Sequence, residues 1–356
     1  MPRTLRARSM NNALTITLIS QLAASGWQSS AIGPRPTRHV QALFRFGNNQ
    51  GVMRAQQPFM QPRRRWLLKG ASAAGAVAAL GVLAELVQAA DGPPGARLPV
   101  IFIGHGSPMN ALHDNPFTRQ LRLWGAALPR PKAILSVSAH WLTPGVTAVG
   151  VQERPRTIHD FGGFPPELHA LQYPAPGAPA LAREAAAKLR STSVVATGEW
   201  GLDHGTWTVL HHLYPNADVP VFQLSIDYDK PGPFHLALGR ELAALRELGV
   251  LILGSGNVVH NLRATDRGTP DSPTASRPWA AAFDRAVQRA LDQRDSRALA
   301  NYTGLDMAAA MAVPTPDHYF PLLYSVGAAR ADEPVRTVFE GFQSGTLSMR
   351  CVQFGA

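Results

Sequence analysis

From residue 98 onward, short apolar runs alternate with longer stretches whose apolar positions recur at helical spacing. Residues 98–103 and 133–137 consist of Val, Ile, Leu, Phe and Ala apart from Pro99 and Ser136, the signature of strands buried on both faces. A Pro- and Gly-rich loop is expected over 157–179, then a helix over 178–189 and a strand over 194–196. Residues 219–226 predict another buried strand. A helix is expected over 233–248, with prolines near its start and Gly249 as its stop. A strand over 250–253, a helix over 279–291 and two closing strands, 335–339 and 346–352, complete the pattern. Strands interleaved with helices predict a layered α/β fold. No repeat or polar linker divides residues 95–356, so a single domain is expected.

Charge alters this picture only at the amino end. The chain of 356 residues carries a formal net charge of +10, which by itself suggests a nucleic-acid partner. Residues 1–89, however, hold 11 Lys/Arg and a single acid, Glu85. Subtraction from totals of 34 and 24 leaves 23 basic and 23 acidic residues in 90–356. The neutral remainder excludes a nucleic-acid partner. The basic cluster Arg63-Arg64-Arg65-Trp66-Leu67-Leu68-Lys69 precedes an Ala/Gly/Val/Leu run ending in Val87-Gln88-Ala89. This resembles a twin-arginine export leader over 60–90, cleaved after a small-residue site, so no stable membrane anchor is expected. Such a leader implies contact with the export machinery and a periplasmic or exported location, or a cytoplasmic one if the leader is unused. Residues 1–59 lack periodicity and read as a disordered tail or as a gene-model extension ahead of Met53 or Met60. The lone cysteine, Cys351, excludes disulfides and a thiolate metal site.

The chemistry is carried by histidines. Five of the twelve fall where a strand or loop ends beside small or turn-forming residues: His105, His140, His204, His260 and His318. One imidazole in an apolar run is ordinarily a packed core residue. Five in such positions have no packing reason to recur, and ligands collect beyond the carboxyl ends of strands in α/β sheets. Imidazoles converging there suit Zn, Fe, Cu or Ni. His159, beside Asp160 in the Gly/Phe loop, is a candidate pocket residue. Trp141, Trp207, Tyr319 and Phe164 are candidates for an aromatic wall. Asp203 and Asp317 directly precede two of the histidines and are expected to orient imidazoles. Neither a Gly-x-Gly-x-x-Gly loop nor a Gly-x-Ser-x-Gly elbow is present, which argues against nucleotide binding and a serine hydrolase.

Eight motifs in order, among them Gly104-His105-Gly106-Ser107-Pro108, Ser138-Ala139-His140-Trp141, Ile158-His159-Asp160-Phe161-Gly162-Gly163-Phe164-Pro165, Asp203-His204-Gly205, Asn257-Val258-Val259-His260 and Pro316-Asp317-His318-Tyr319, resemble the class III extradiol ring-cleaving dioxygenases. The similarity is to their 4,5-DOPA extradiol dioxygenase-like branch. It implies a mixed central sheet with helices on both faces, in one catalytic domain over 91–356. It also implies one Fe(II) or Zn(II) ion held by His105, His140 and His318, with His260 as a fourth ligand or as acid/base. His204 is expected as a second proton partner, and His159, Trp141, Trp207 and Tyr319 as substrate contacts. The implied substrates are O2 and a small aromatic diol, DOPA-like or otherwise, opened to a semialdehyde. A zinc hydrolase and a non-catalytic exported zinc-binding protein are the alternatives that a four-histidine site leaves open.

Overall fold

The computed structural model describes residues 97–266 and 275–356. The leader-like segment and the extension before it lie outside these residues. Ten strands occur among the described residues: β1 (Val100–Gly104), β2 (Ala133–Thr143), β3 (Thr147–Gly150), β4 (Val194–Thr197), β5 (Val221–Asp227), β6 (Val250–Gly256), β7 (Val335–Phe339), β8 (Phe342–Gln343), β9 (Leu347–Ser348) and β10 (Cys351–Phe354). Eight of them form one sheet in the order β4-β3-β5-β2-β6-β1-β10-β7, and β8 pairs with β9 apart from it. The four central strands, β5, β2, β6 and β1, run parallel, while β3 is antiparallel to β5 and parallel to β4, and β10 is antiparallel to both β1 and β7. The sheet is therefore mixed, as expected.

Among the described residues nine helices accompany the sheet: α1 (Pro116–Ala127), α2 (Pro166–Ala170), α3 (Pro179–Lys188), α4 (His204–Leu213), α5 (Gly232–Leu242), α6 (Pro278–Asp292), α7 (Ser296–Ala300), α8 (Ala309–Ala312) and α9 (Phe320–Ala328). Alternation along β1 divides the core in two. Val100 and Phe102 pack with α3, α5, α6 and α9, whereas Ile101 and Ile103 pack with α1 and α4. A parallel strand covered on both sides has no polar face, which is why these strands appear as largely apolar runs rather than as alternating ones. Among the described residues no helix is long and apolar enough to cross a membrane.

Three expectations change. Residues 233–248 are not one helix: α5 stops at Leu242, and a tighter 3-10 turn, Ala243–Leu248, carries the chain to Gly249, whose φ of +83° is left-handed. That turn brings Arg246 inward, where it donates to the carbonyls of Leu98 and Ala328 and pairs with Glu333 at 2.6 Å. The expected strand over 346–352 is split, because Leu347–Ser348 folds back on Phe342–Gln343 and only Cys351–Phe354 joins the sheet. His204 ends neither a strand nor a loop. It opens α4, behind the cap Asp203.

Acid sensitivity is built into one buried residue remote from the histidine cluster. His235 on α5 donates from Nε2 to the Lys230 carbonyl at 3.1 Å, so its Nδ1 must accept from the Tyr324 hydroxyl at 3.0 Å. Burial lowers its pKa from 6.5 to about 4. Its stabilising contribution is thus complete above pH 6.5, where the unfolded chain is also neutral, and is lost as pH falls through about 4. We expect the melting temperature to drop over that interval and His235→Gln to flatten the drop. The underlying effect is at most about 3 kcal/mol.

Candidate metal centre

The parallel strands β1, β2 and β6 carry the chain to one rim of the sheet, and the histidines gather there. His105 follows β1 directly and is 2% exposed. Its Nδ1 lies 3.0 Å from Ser255 Oγ on β6, and that hydroxyl donates its single proton to the Gly205 carbonyl at 2.5 Å. Ser255 can then only accept from His105, which fixes the imidazole proton on Nδ1 and leaves Nε2 with a bare lone pair. His140 sits where the register of β2 against β5 shifts between Val137 and Leu142, a bulge that re-aims its side chain. Its Nδ1 is 3.4 Å from Asp160 Oδ2, and its Nε2 is 3.2 Å from His105 Nε2.

His318, just ahead of α9, bonds through Nδ1 to Asp317 Oδ2 at 2.5 Å. The ring centres of His105, His140 and His318 form a nearly equilateral triangle with sides of 5.0, 5.3 and 5.0 Å. His260, beyond β6, stacks on His318 at 3.4 Å with the planes 4° apart. His204 completes the cluster, its ring centre 3.8 Å from that of His140 and its Nδ1 3.0 Å from Asp160 Oδ2.

These donors suit a metal ion. Lone pairs on two nitrogens 3.2 Å apart repel unless a cation or proton lies between them. Two imidazole nitrogens at about 2.0–2.1 Å from a tetrahedral ion stand about 3.3 Å apart, with ring centres about 5.2 Å apart. The sides of the 105/140/318 triangle match that spacing. Nitrogens of His105, His140 and His204 also lie within 4.8 Å of one another, a three-histidine set that replaces His318 with His204. We favour the first set, because a ring separation of 3.8 Å between His140 and His204 is too short for both imidazoles to radiate from one tetrahedral ion.

Electrostatics favours the neutral form of three of these histidines. Burial, and next the neighbouring imidazoles, hold His105, His140 and His260 well below the usual histidine pKa, as a metal-binding imidazole requires. Burial alone would raise the pKa of Asp160 and Asp317, yet hydrogen bonding and charge from His204 and His318 respectively bring both below the usual carboxylate range. Asp203 goes the other way: burial, and then the charge of Asp160, raise it. It accepts from Ser138 at 2.6 Å and Gln223 at 2.7 Å while capping α4, so it braces β2, β5 and α4 and holds no imidazole. Its expected orienting role belongs to Asp160.

A cavity of about 670 Å³ opens over the cluster, a size that admits a substituted aromatic ring. His105, His140, His204, His260 and His318 all line it, together with Met109, Phe161, Phe164, Leu262 and Leu347. Four expected substrate contacts do not. Trp141 stacks on Trp200 at 5.9 Å, and Trp207 is buried with its indole donating to the Ile158 carbonyl at 2.9 Å. Tyr319 lies in the core, its hydroxyl donating to Leu299, and His159 bonds through Nε2 to the Leu171 carbonyl at 2.9 Å. Trp207, Tyr319 and His159 thus meet their polar needs away from the cavity, and Trp141 packs on Trp200 instead of facing it. Of the aromatic candidates, Phe164 alone reaches the wall.

Ser255 and Asp160 were the residues missed. Asp160 lies within the 158–165 motif beside His159, whose imidazole is the more conspicuous candidate; Ser255 gives no sequence signal that separates it from other strand serines. Ser255→Ala is expected to free the Nδ1 proton of His105 and weaken metal binding about 10–100-fold, measurable by chelator competition.

Residues 99–353 match the family described as the catalytic LigB subunit of aromatic ring-opening dioxygenase. The chain belongs to this family. It is 48% identical to a 4,5-DOPA dioxygenase extradiol of Escherichia coli strain K12, over 73% of this chain and 95% of the relative. The corresponding Beta vulgaris protein is 38% identical over 71% of this chain and 95% of its own length. A crystal structure of an uncharacterized Escherichia coli K12 protein aligns with TM-score 0.63 and 43% identity, covering 73% of this chain and all of the other. This LigB-family chain is an extradiol dioxygenase, an oxidoreductase of a metal-dependent class whose members take an aromatic diol and O2.

Proposed function

We propose that the chain opens the ring of a small catechol-type diol beside its hydroxyls, incorporating both atoms of O2 to give a semialdehyde. The observation that carries this reading is the triangle of His105, His140 and His318, in which an oxygen acceptor stands at each Nδ1. These three side chains would hold one metal ion, and Fe(II) fits the reaction better than redox-silent Zn(II). The ion would supply a site at which diol and O2 meet and exchange electrons.

The remaining work falls to the protein. His260, kept neutral by burial and by His318, takes a catechol hydroxyl proton and returns one as the ring opens. His204, on the same cavity wall, is the second proton partner. Phe161, Phe164, Met109, Leu262 and Leu347 enclose the aromatic ring and keep water from competing with O2. The substrate class is a neutral or amino-acid-bearing catechol, in line with the name of the relatives. We propose further that residues 60–90 direct export of the folded protein, which fractionation of cells expressing the full chain checks.

An oxygen electrode provides the test. Protein reconstituted anaerobically with Fe(II) is expected to consume one O2 per diol, with a yellow semialdehyde accumulating, for DOPA or a related catechol. Absence of uptake with every diol, together with ester hydrolysis by the zinc-loaded protein, would overturn the proposal in favour of a hydrolase.

A further inference from the structure

The carboxylate of Asp160 faces two histidines of the cluster at once. Oδ2 lies 3.0 Å from His204 Nδ1 and 3.4 Å from His140 Nδ1, and Oδ1 accepts from the His204 backbone N–H at 2.9 Å. The loop that carries it is fastened just upstream, where Trp207 donates to the Ile158 carbonyl at 2.9 Å and Ile158 donates to Leu202 at 2.7 Å. Immediately downstream, Phe161 sets its ring edge-on to His204 with centres 5.5 Å apart, and both Phe161 and Phe164 line the cavity. One side chain thus joins the metal-facing histidine of β2, the first turn of α4 and the aromatic wall.

We propose that Asp160 is a positioning residue that orients His140 and His204 together and so ties the presentation of their two Nε2 atoms to the loop that carries Phe161 and Phe164. The inference rests on the reading of His140 as a metal ligand. A carboxylate offers only acceptors, so each Nδ1 facing it must carry hydrogen and each Nε2 must turn a lone pair away from it. His140 Nε2 accordingly points at His105 Nε2. Both Nδ1 atoms lie within ion-pair reach of Oδ2 without reaching good hydrogen-bond geometry, so Oδ2 faces both rings and is committed to neither.

The Asn variant separates this role from simple loop anchoring. Asp160→Asn keeps an oxygen for the His204 N–H but turns an NH2 donor toward two Nδ1–H groups, forcing at least one ring to flip or change tautomer. Asp160→Ala removes the anchor altogether, yet leaves water free to serve both rings. Orientation therefore ranks Asn as the more damaging change for metal affinity, whereas anchoring ranks Ala as the more damaging.

The experiment measures Fe(II) dissociation constants by anaerobic chelator competition for the full-length protein and for Asp160→Asn, Asp160→Ala, Asp160→Glu, His140→Ala and Phe164→Ala, with melting temperature as a check on folding. Asp160→Asn is expected to bind about 10–100-fold more weakly than wild type and more weakly than Asp160→Ala. Asp160→Glu, with the carboxylate displaced by one methylene, should regain part of the loss. Phe164→Ala should raise KM for the diol and leave metal affinity unchanged. Wild-type affinity in Asp160→Asn alongside a loss in His140→Ala would overturn the role of Asp160, as would an Ala variant worse than Asn. Unchanged affinity in His140→Ala would instead overturn the ligand reading itself.

Discussion

Replacing His105 with alanine is expected to remove the bound metal and to lower ring cleavage by at least about 10³-fold, while the protein stays folded. The ring is 2% exposed and its Nε2 faces that of His140 at 3.2 Å, so its loss opens one corner of the triangle that no neighbouring donor can fill without moving. Metal polarisation is worth several kcal/mol of barrier, and each 1.36 kcal/mol is tenfold in rate, which sets the scale. Metal content after dialysis and oxygen uptake should fall together. Truncation of the buried imidazole removes one hydrogen bond from Ser255, which keeps its bond to Gly205, at a cost of about 1–3 kcal/mol, so the melting temperature should fall by only a few degrees. A metal-replete His105→Ala protein with wild-type uptake would remove the basis for this site.

A single methyl group at residue 205 should be nearly as damaging, although Gly205 touches no substrate. A Cβ built there would stand 2.6 Å from Ser138 Oγ, 2.8 Å from His140 Cδ2 and 3.2 Å from His105 Cε1. Its backbone carbonyl also receives the Ser255 hydroxyl that fixes the proton of His105. Gly205→Ala must therefore push two imidazoles apart or shift the start of α4. Overpacking of this kind costs about 1–3 kcal/mol in stability, and displacement of reacting groups by about 1 Å costs about 10²-fold in rate. We expect kcat to fall by that factor with metal affinity weakened, and a melting temperature close to that of the wild type. Unchanged kinetics would show that the space between the rings is softer than the distances indicate.

Much of the scaffold could be read from residue pattern, and the exceptions share a cause. The central strands were legible because burial on both faces leaves them predominantly apolar, with only scattered buried polar residues such as Ser136 and Gln223. In α4, nine of ten residues are buried, and in α9 eight of nine, so neither helix has a polar face and the periodicity that reveals helices is missing. The histidines were legible as a group because imidazoles that recur beside small or turn-forming residues have no packing reason to do so. Direction was not legible. Trp141, Trp207 and Tyr319 are aromatic residues next to site residues, but composition does not tell which way a side chain turns, and each turns into the core. The same limit favoured Asp203 over Asp160: adjacency in sequence suggested the former, whereas the imidazoles are met by a carboxylate on the loop of residues 157–179.

The place of β10 between β1 and β7 has a consequence for biosynthesis. Until residues 351–354 arrive, the flank of the strand leading to His105 lacks its antiparallel neighbour, and the donors at 260 and 318 also emerge late from the ribosome. A nascent chain can gather its first two imidazoles early, but it cannot enclose an ion until nearly all of the domain has been made. Metal capture should therefore be post-translational, and a chain shortened before residue 351 should be cleared by proteolysis rather than persist as a weakened enzyme.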